Sequence, residues 1–139
     1  MTRVTADSNI YISALLFGGP PDDILKLAEQ GEIHLSISGA ILDEVSRVLR
    51  DKFRLSPEEL QMALTRIEGM TENVNSTQTV DVVKEDPTDN RILECAQAGK
   101  SEYLVTRDKH LLQLGTVQGT KIILAADFLE TFRAQGQGR

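Results

Sequence analysis

Four carboxylates, Asp7, Glu44, Asp89 and Asp108, recur at equivalent places in this chain, each just beyond a segment that reads as a β-strand. Asp7 ends the pattern Arg3 to Ala6. Glu44 lies about two turns or less into the helix after Glu32 to Ser38, Asp86 and Asp89 follow Val80 to Val83, and Asp108 follows Tyr103 to Val105. Scattered surface acids have no reason to keep this phase with the strands. In a parallel sheet wrapped by helices, sites form beyond the carboxyl ends of the strands, which is where these residues stand. Grouping them is unfavourable, because two carboxylates about 4 Å apart repel by roughly 4 kcal/mol at an effective dielectric near 20. Either protons are shared, with raised pKa values, or divalent cations neutralise the cluster. Hard oxygen ligands select Mg²⁺ or Mn²⁺. Such an ion lowers the pKa of a bound water and stabilises charge building on phosphorus. The chemistry that fits is phosphodiester hydrolysis without a covalent enzyme intermediate.

Plainer roles stay open for each residue. Asp86 and Asp89 could cap the helix that starts at Pro87, with Asp89 at its third position, and Asp7 could cap the helix that follows it. Asn9 could hold Asp7 or a metal-bound water, or serve only the helix start. Thr106 could hydrogen-bond a carboxylate or only fill a strand position.

The supporting elements alternate between strand and helix. Ser8 to Leu16 reads as a helix broken by Gly18-Gly19-Pro20-Pro21, and Asp22-Asp23 opens the next, which stops at Gly31. Glu32 to Ser38 alternates, with Ile33, Leu35 and Ile37 on the better-buried face and His34 and Ser36 on the other. From Gly39 to about Asp51, Ile41, Leu42, Val45, Val48 and Leu49 make one stripe. At roughly 100° per residue, Glu44 falls on its flank and Asp43 opposite. Ser56-Pro57-Glu58-Glu59 carries a capping box and an N1 proline, starting a helix that runs to about Met70. Glu72 to Thr79 reads as polar loop. Asp86-Pro87 opens a helix ended by Gly99, and Tyr103-Leu104-Val105 is an apolar run suited to a strand covered on both faces. A short helical turn at Asp108 to Leu112, a strand at Lys121 to Leu124 and a helix at Asp127 to Phe132 complete an α/β domain over 1–134. Residues 135–139 are expected to be a disordered tail.

With 139 residues, 40% apolar and 26% charged, the chain is a single domain with a real core. No apolar run approaches the roughly 20 residues needed to span a bilayer, and MTRVTADSN lacks the h-region of a secretory signal. The single Cys95 excludes an internal disulfide and reads as a small core residue. These features lead to the expectation of a cytoplasmic protein with no membrane partner. A formal net charge of −6 gives no global pull toward nucleic acid, so any such attraction must be local. Arg47, Arg50, Lys52 and Arg54 are the basic cluster that could rim the acids, or a plain solvated face.

Four segments, in order, resemble the PIN-domain nuclease family: Asp7-Ser8-Asn9 with Ser13-Ala14-Leu15-Leu16, Ser38 to Leu49 with Glu44, Asp86-Pro87-Thr88-Asp89-Asn90, and Glu102 to Asp108. The resemblance covers essentially the whole chain and is nearest to single-domain bacterial and archaeal proteins described as toxins of toxin–antitoxin pairs. It implies a three-layer α/β/α fold with a central parallel sheet in the order 3-2-1-4-5, which sets Asp7 beside Asp108. It also implies Mg²⁺- or Mn²⁺-dependent cleavage of single-stranded RNA by the quartet Asp7, Glu44, Asp89 and Asp108, a homodimer, and a cognate antitoxin as partner. Two positions depart from the family pattern. Arg107 stands where Gly is usual, and His110 stands where a further Asp is usual. His110 could ligate Mn²⁺, touch phosphate or be a plain helix residue. The departures motivate an alternative, a catalytically weakened module that binds RNA or protein. A phosphatase ranks last, since no Asp-x-Asp-x-Thr arrangement is present.

Overall fold

The computed structural model describes residues 1–75 and 87–136, with only the backbone described at 87–89. In chain order the elements are β1 (Thr2–Ala6), α1 (Ser8–Phe17), α2 (Pro20–Glu29), β2 (Ile33–Ile37), α3 (Gly39–Asp51), α4 (Pro57–Met70) and β3 (Thr71–Asn73). They are followed by α5 (Pro87–Ala98), β4 (Tyr103–Val105), α6 (Lys109–Leu114), β5 (Thr116–Val117), β6 (Thr120–Ile123) and α7 (Ala125–Gly136). The strands form one sheet in the order β3-β2-β1-β4-β6-β5. Every pairing is parallel except β5 with β6. β1 and β4 are neighbours, with Ala6 opposite Val105, although a long stretch of chain separates them. This is the topological switch beyond which ligand sites form in such sheets.

Both faces of the central strands are covered. Consecutive residues Val4, Thr5 and Ala6 are all fully buried, as are Leu104 and Val105. That pattern requires helices on each side. α5 lies against β1, β2 and β4, while α2 packs on α1 and α7. The helix starts follow local chemistry. Ser56 accepts from the Glu59 N–H at 3.1 Å and the Glu59 carboxylate accepts from the Ser56 N–H at 2.8 Å, closing the capping box of α4. Cys95 is a core residue, and burial pushes its thiol up to about 11. Among the described residues no helix is long and apolar enough to cross a membrane.

Four expectations need correction. The third strand is Thr71–Asn73, overlapping the start of the stretch that reads as polar loop, and it pairs parallel with β2. An edge strand takes its order from its partner's unpaired backbone, which needs no apolar pattern. Val80 to Val83 lies outside the described residues. The five-strand order therefore becomes six, because β5 and β6 form a hairpin. Its two turn residues, Gln118 and Gly119, both have positive φ (49° and 87°), the geometry of a tight two-residue turn. Ser36, expected on the less buried face of β2, is fully buried beneath Gly99 at the end of α5. Finally, α7 continues to Gly136, past the end expected at Phe132.

Candidate active site

β1 ends at Ala6, and the Asp7 N–H donates to the Val105 carbonyl at 3.1 Å, fixing the first residue beyond β1 against the end of β4. Asp7 then serves as N-cap of α1, its Oδ1 accepting from the Ile10 N–H at 3.1 Å. Its Oδ2 accepts from the hydroxyl of Thr106, the first residue after β4. Thr106 Oγ1 in turn accepts from the Asp108 N–H at 3.0 Å. One buried hydroxyl thus ties the two acids that flank the switch.

Asp108 caps α6, its Oδ1 accepting from the N–H groups of His110 (2.7 Å) and Leu111 (3.4 Å). Its Oδ2 takes no described hydrogen bond. Glu44 reaches in from the flank of α3, half-buried, with Oε2 accepting from the Ser8 hydroxyl and Oε1 lying 3.9 Å from Arg47. Asp43, on the opposite side of α3, is exposed.

The electrostatics single out Asp7. It is 3% exposed, and its described donors, Thr106 and Ile10, are both neutral. Its carboxyl is pushed up to about 6: burial raises it most, the two hydrogen bonds pull the other way, and the charges of Asp108 and Glu44 are part of the rise. Two acids from other parts of the chain, Glu44 and Asp108, are therefore each within electrostatic reach of Asp7.

The remaining expected residues are placed as follows. Asn9 is exposed in the first turn of α1. Arg107 is exposed and donates to Ser13 Oγ at 3.3 Å. His110 is exposed, and it meets the site through its backbone N–H rather than its ring. Asp89 is in α5, but its side chain lies outside the described residues, as does Asp86 altogether. Ser8 was not anticipated. Its only sequence signal is a small hydroxyl directly after Asp7, the same cue that marks an ordinary helix start.

The donor chemistry suits a hard dication. Asp7, Glu44 and Asp108 offer carboxylate oxygens, and Asp7 is buried without a described cation beside it. Among the described residues, no three Asp, Glu, His or Cys side chains close together tightly enough to hold a metal ion by themselves. Asp89 is the remaining candidate from the sequence.

A profile of the PIN domain matches residues 3–110. No curated protein matches the chain. Among solved structures, VapBC2 from Rickettsia felis, bound to a DNA fragment from their promoter, is similar with a TM-score of 0.62 at 16% identity. That alignment covers 88% of this chain and 98% of the other.

Proposed function

The chain belongs to the PIN-domain family, and from that premise we propose that it is a divalent-metal-dependent endoribonuclease acting on single-stranded RNA, the toxin of a toxin–antitoxin pair. The observation that carries the reading is the buried Asp7 carboxyl, pushed up to about 6 by burial and by the charges of Asp108 and Glu44, with only neutral described donors at its oxygens. A core that buries an acid among other acids invites a cation, and the oxygen donors favour Mg²⁺ or Mn²⁺. The likeness to VapBC2 supports the toxin–antitoxin setting, with an antitoxin as partner; pairing with a second copy rests on the family resemblance alone.

Asp7, Glu44 and Asp108, with Asp89, are the residues that would hold the metal. When bound, it supplies an acidified water and charge stabilisation at the phosphate. The chain's own groups set the geometry. Thr106 and the Ile10 N–H fix both oxygens of Asp7, and Ser8 fixes one of Glu44. The α6 amides hold Asp108 by Oδ1, which leaves Oδ2 for the site. Asp7 and Asp108 are thus oriented by neutral donors that leave their negative charge available, while Glu44 has Arg47 3.9 Å from its Oε1.

The test is cleavage of labelled single-stranded RNA with Mg²⁺, Mn²⁺ or EDTA, wild type against Asp7→Asn, with circular dichroism to check the fold. Cleavage that needs the metal and disappears in a folded Asp7→Asn is expected. Undiminished cleavage in both EDTA and Asp7→Asn would overturn the reading. RNA retained at unchanged affinity with no product at any metal concentration would replace it with the binding-module reading that Arg107 and His110 motivate.

A further inference from the structure

Two phenylalanines stand at the surface close to the acids. Phe17, the last residue of α1, is 76% exposed, and Phe53, just past α3, is 36% exposed. Their rings meet edge to face, with centroids 6.5 Å apart and planes at 75°. Lys52 Nζ lies 5.6 Å from the centroid of the Phe53 ring. From this pair a groove of about 390 Å³ runs to Asn9 and Asp108, with Ile12 and Val48 in its lining. Arg107, held against α1 through Ser13, borders it.

Neither aromatic follows from fold stability. A solvated phenylalanine contributes little to a core, and neither ring belongs to the buried cluster or to the side chains packed against it. The groove is small, at the low end of the ~300–1,000 Å³ typical of small-ligand clefts. It therefore suits one flat group rather than a duplex. Its lining brings together two aromatic rings, two cations and Asp108 of the acid cluster. Aromatic faces take successive bases of an unpaired strand, while cations follow the phosphates. A chain of net charge −6 can hold a polyanion only where cations are concentrated, and Lys52 and Arg107 concentrate them here.

We propose that the groove from Phe17 and Phe53 to Asp108 is a stacking subsite for one unpaired base of a single-stranded nucleic acid, positioned next to the phosphate that faces the acids. Phe17 supplies the stacking face. Lys52 and Arg107 contact the flanking phosphates. The inference rests on the nuclease reading for what happens at Asp108, though the binding step does not require cleavage.

The test uses single-stranded RNA carrying 2-aminopurine at one position, scanned along the oligonucleotide, with Ca²⁺ in place of the cleavage metal. Stacking on a ring quenches this fluorophore. In the full-length wild type, quenching at one position of the scan is expected. It should be lost in Phe17→Ala and kept in Phe17→Trp. In steady-state cleavage, Phe17→Ala should raise KM about tenfold, the effect of losing one stacked base, with kcat changed far less. Quenching with no cleavage under Mn²⁺ would uphold the subsite and overturn the nuclease reading. Cleavage with no quenching and an unaltered KM in Phe17→Ala would uphold the nuclease and overturn the subsite. Sedimentation showing that Phe17→Ala dissociates a dimer while RNA affinity holds would also overturn it, assigning the groove to a second copy of the chain.

Discussion

Thr106 donates its hydroxyl proton to Asp7 Oδ2 and, through the same oxygen, accepts the Asp108 N–H. The bond crosses from the end of β4 to the end of β1, so it exists only because these distant strands are adjacent. It also pulls the Asp7 carboxyl down against the burial that pushes it up. Replacing Thr106 with valine keeps the shape but removes both roles. Asp7 then loses a donor to its charged form, and the Asp108 N–H loses its acceptor. A buried unsatisfied group costs about 1–3 kcal/mol. Thr106→Val is expected to lower urea stability by roughly that amount and to move the acid limb of the pH–rate profile to higher pH. Thr106→Ser should restore both.

Asp7 makes stability depend on pH in an unusual direction. Its ordinary value is 3.8 and its folded value is about 6. Between them the folded chain binds the proton that the unfolded chain has released. Stability from this group is therefore fully present below about 3.8 and declines as pH rises through about 6. In the metal-free protein the ionised carboxyl costs about 3 kcal/mol at neutral pH. Asp7→Asn should then unfold at higher urea than wild type at pH 7.5 in EDTA, with the difference shrinking or reversing at pH 4.5. An equal difference at both pH values would contradict the burial argument.

What was legible in the sequence was what local chemistry decides. Ser56 and Glu59 announce α4, and Ser38 announces α3. The strands β1, β2 and β4 and the acids beyond them follow from alternation and apolar runs. What was not legible depends on distant partners. Thr71–Asn73 is polar and becomes a strand only beside β2. The turn at Gln118-Gly119 lacks the usual Asn-Gly signal. The pairing of Ser8 with Glu44 joins two helices whose sequences say nothing of each other. Glu44 and Asp108 are each brought within reach of Asp7, whereas Asp86 and the Asp89 side chain lie outside the described residues.

Gly99 sets how closely α5 sits on the sheet. A Cβ there would lie 2.8 Å from Ser36 Cβ and closer still to Ser36 Oγ, with the Cys95 carbonyl 3.3 Å away. Ser36 is fully buried in β2, so neither side can yield without moving the helix. Gly99→Ala should cost about 1–3 kcal/mol, as overpacking does. Ser36→Gly in the same chain should recover most of it. A double-mutant cycle by urea denaturation reads the coupling, and additive effects would show that the two positions do not touch.

Metal binding should show as stability even where no substrate is present. A ligand that binds only the folded state stabilises by about 2.7 kcal/mol at a hundred times its Kd. Here it would also relieve the repulsion that Asp108 and Glu44 impose on Asp7. Thermal melts in Mn²⁺ against EDTA should therefore separate clearly at pH 7.5. The separation should shrink at pH 5, where protons compete for Asp7, and should nearly vanish in Asp7→Asn. Ser8→Ala offers a finer reading of the same equilibrium. The Ser8 hydroxyl orients Glu44 without meeting the metal, and outer partners of this kind are worth about 10–100-fold in metal affinity. In Ser8→Ala the Mn²⁺ midpoint of stabilisation should rise by that factor, while the melting temperature in EDTA stays close to wild type. A midpoint that does not move would remove Glu44 from the metal-binding set.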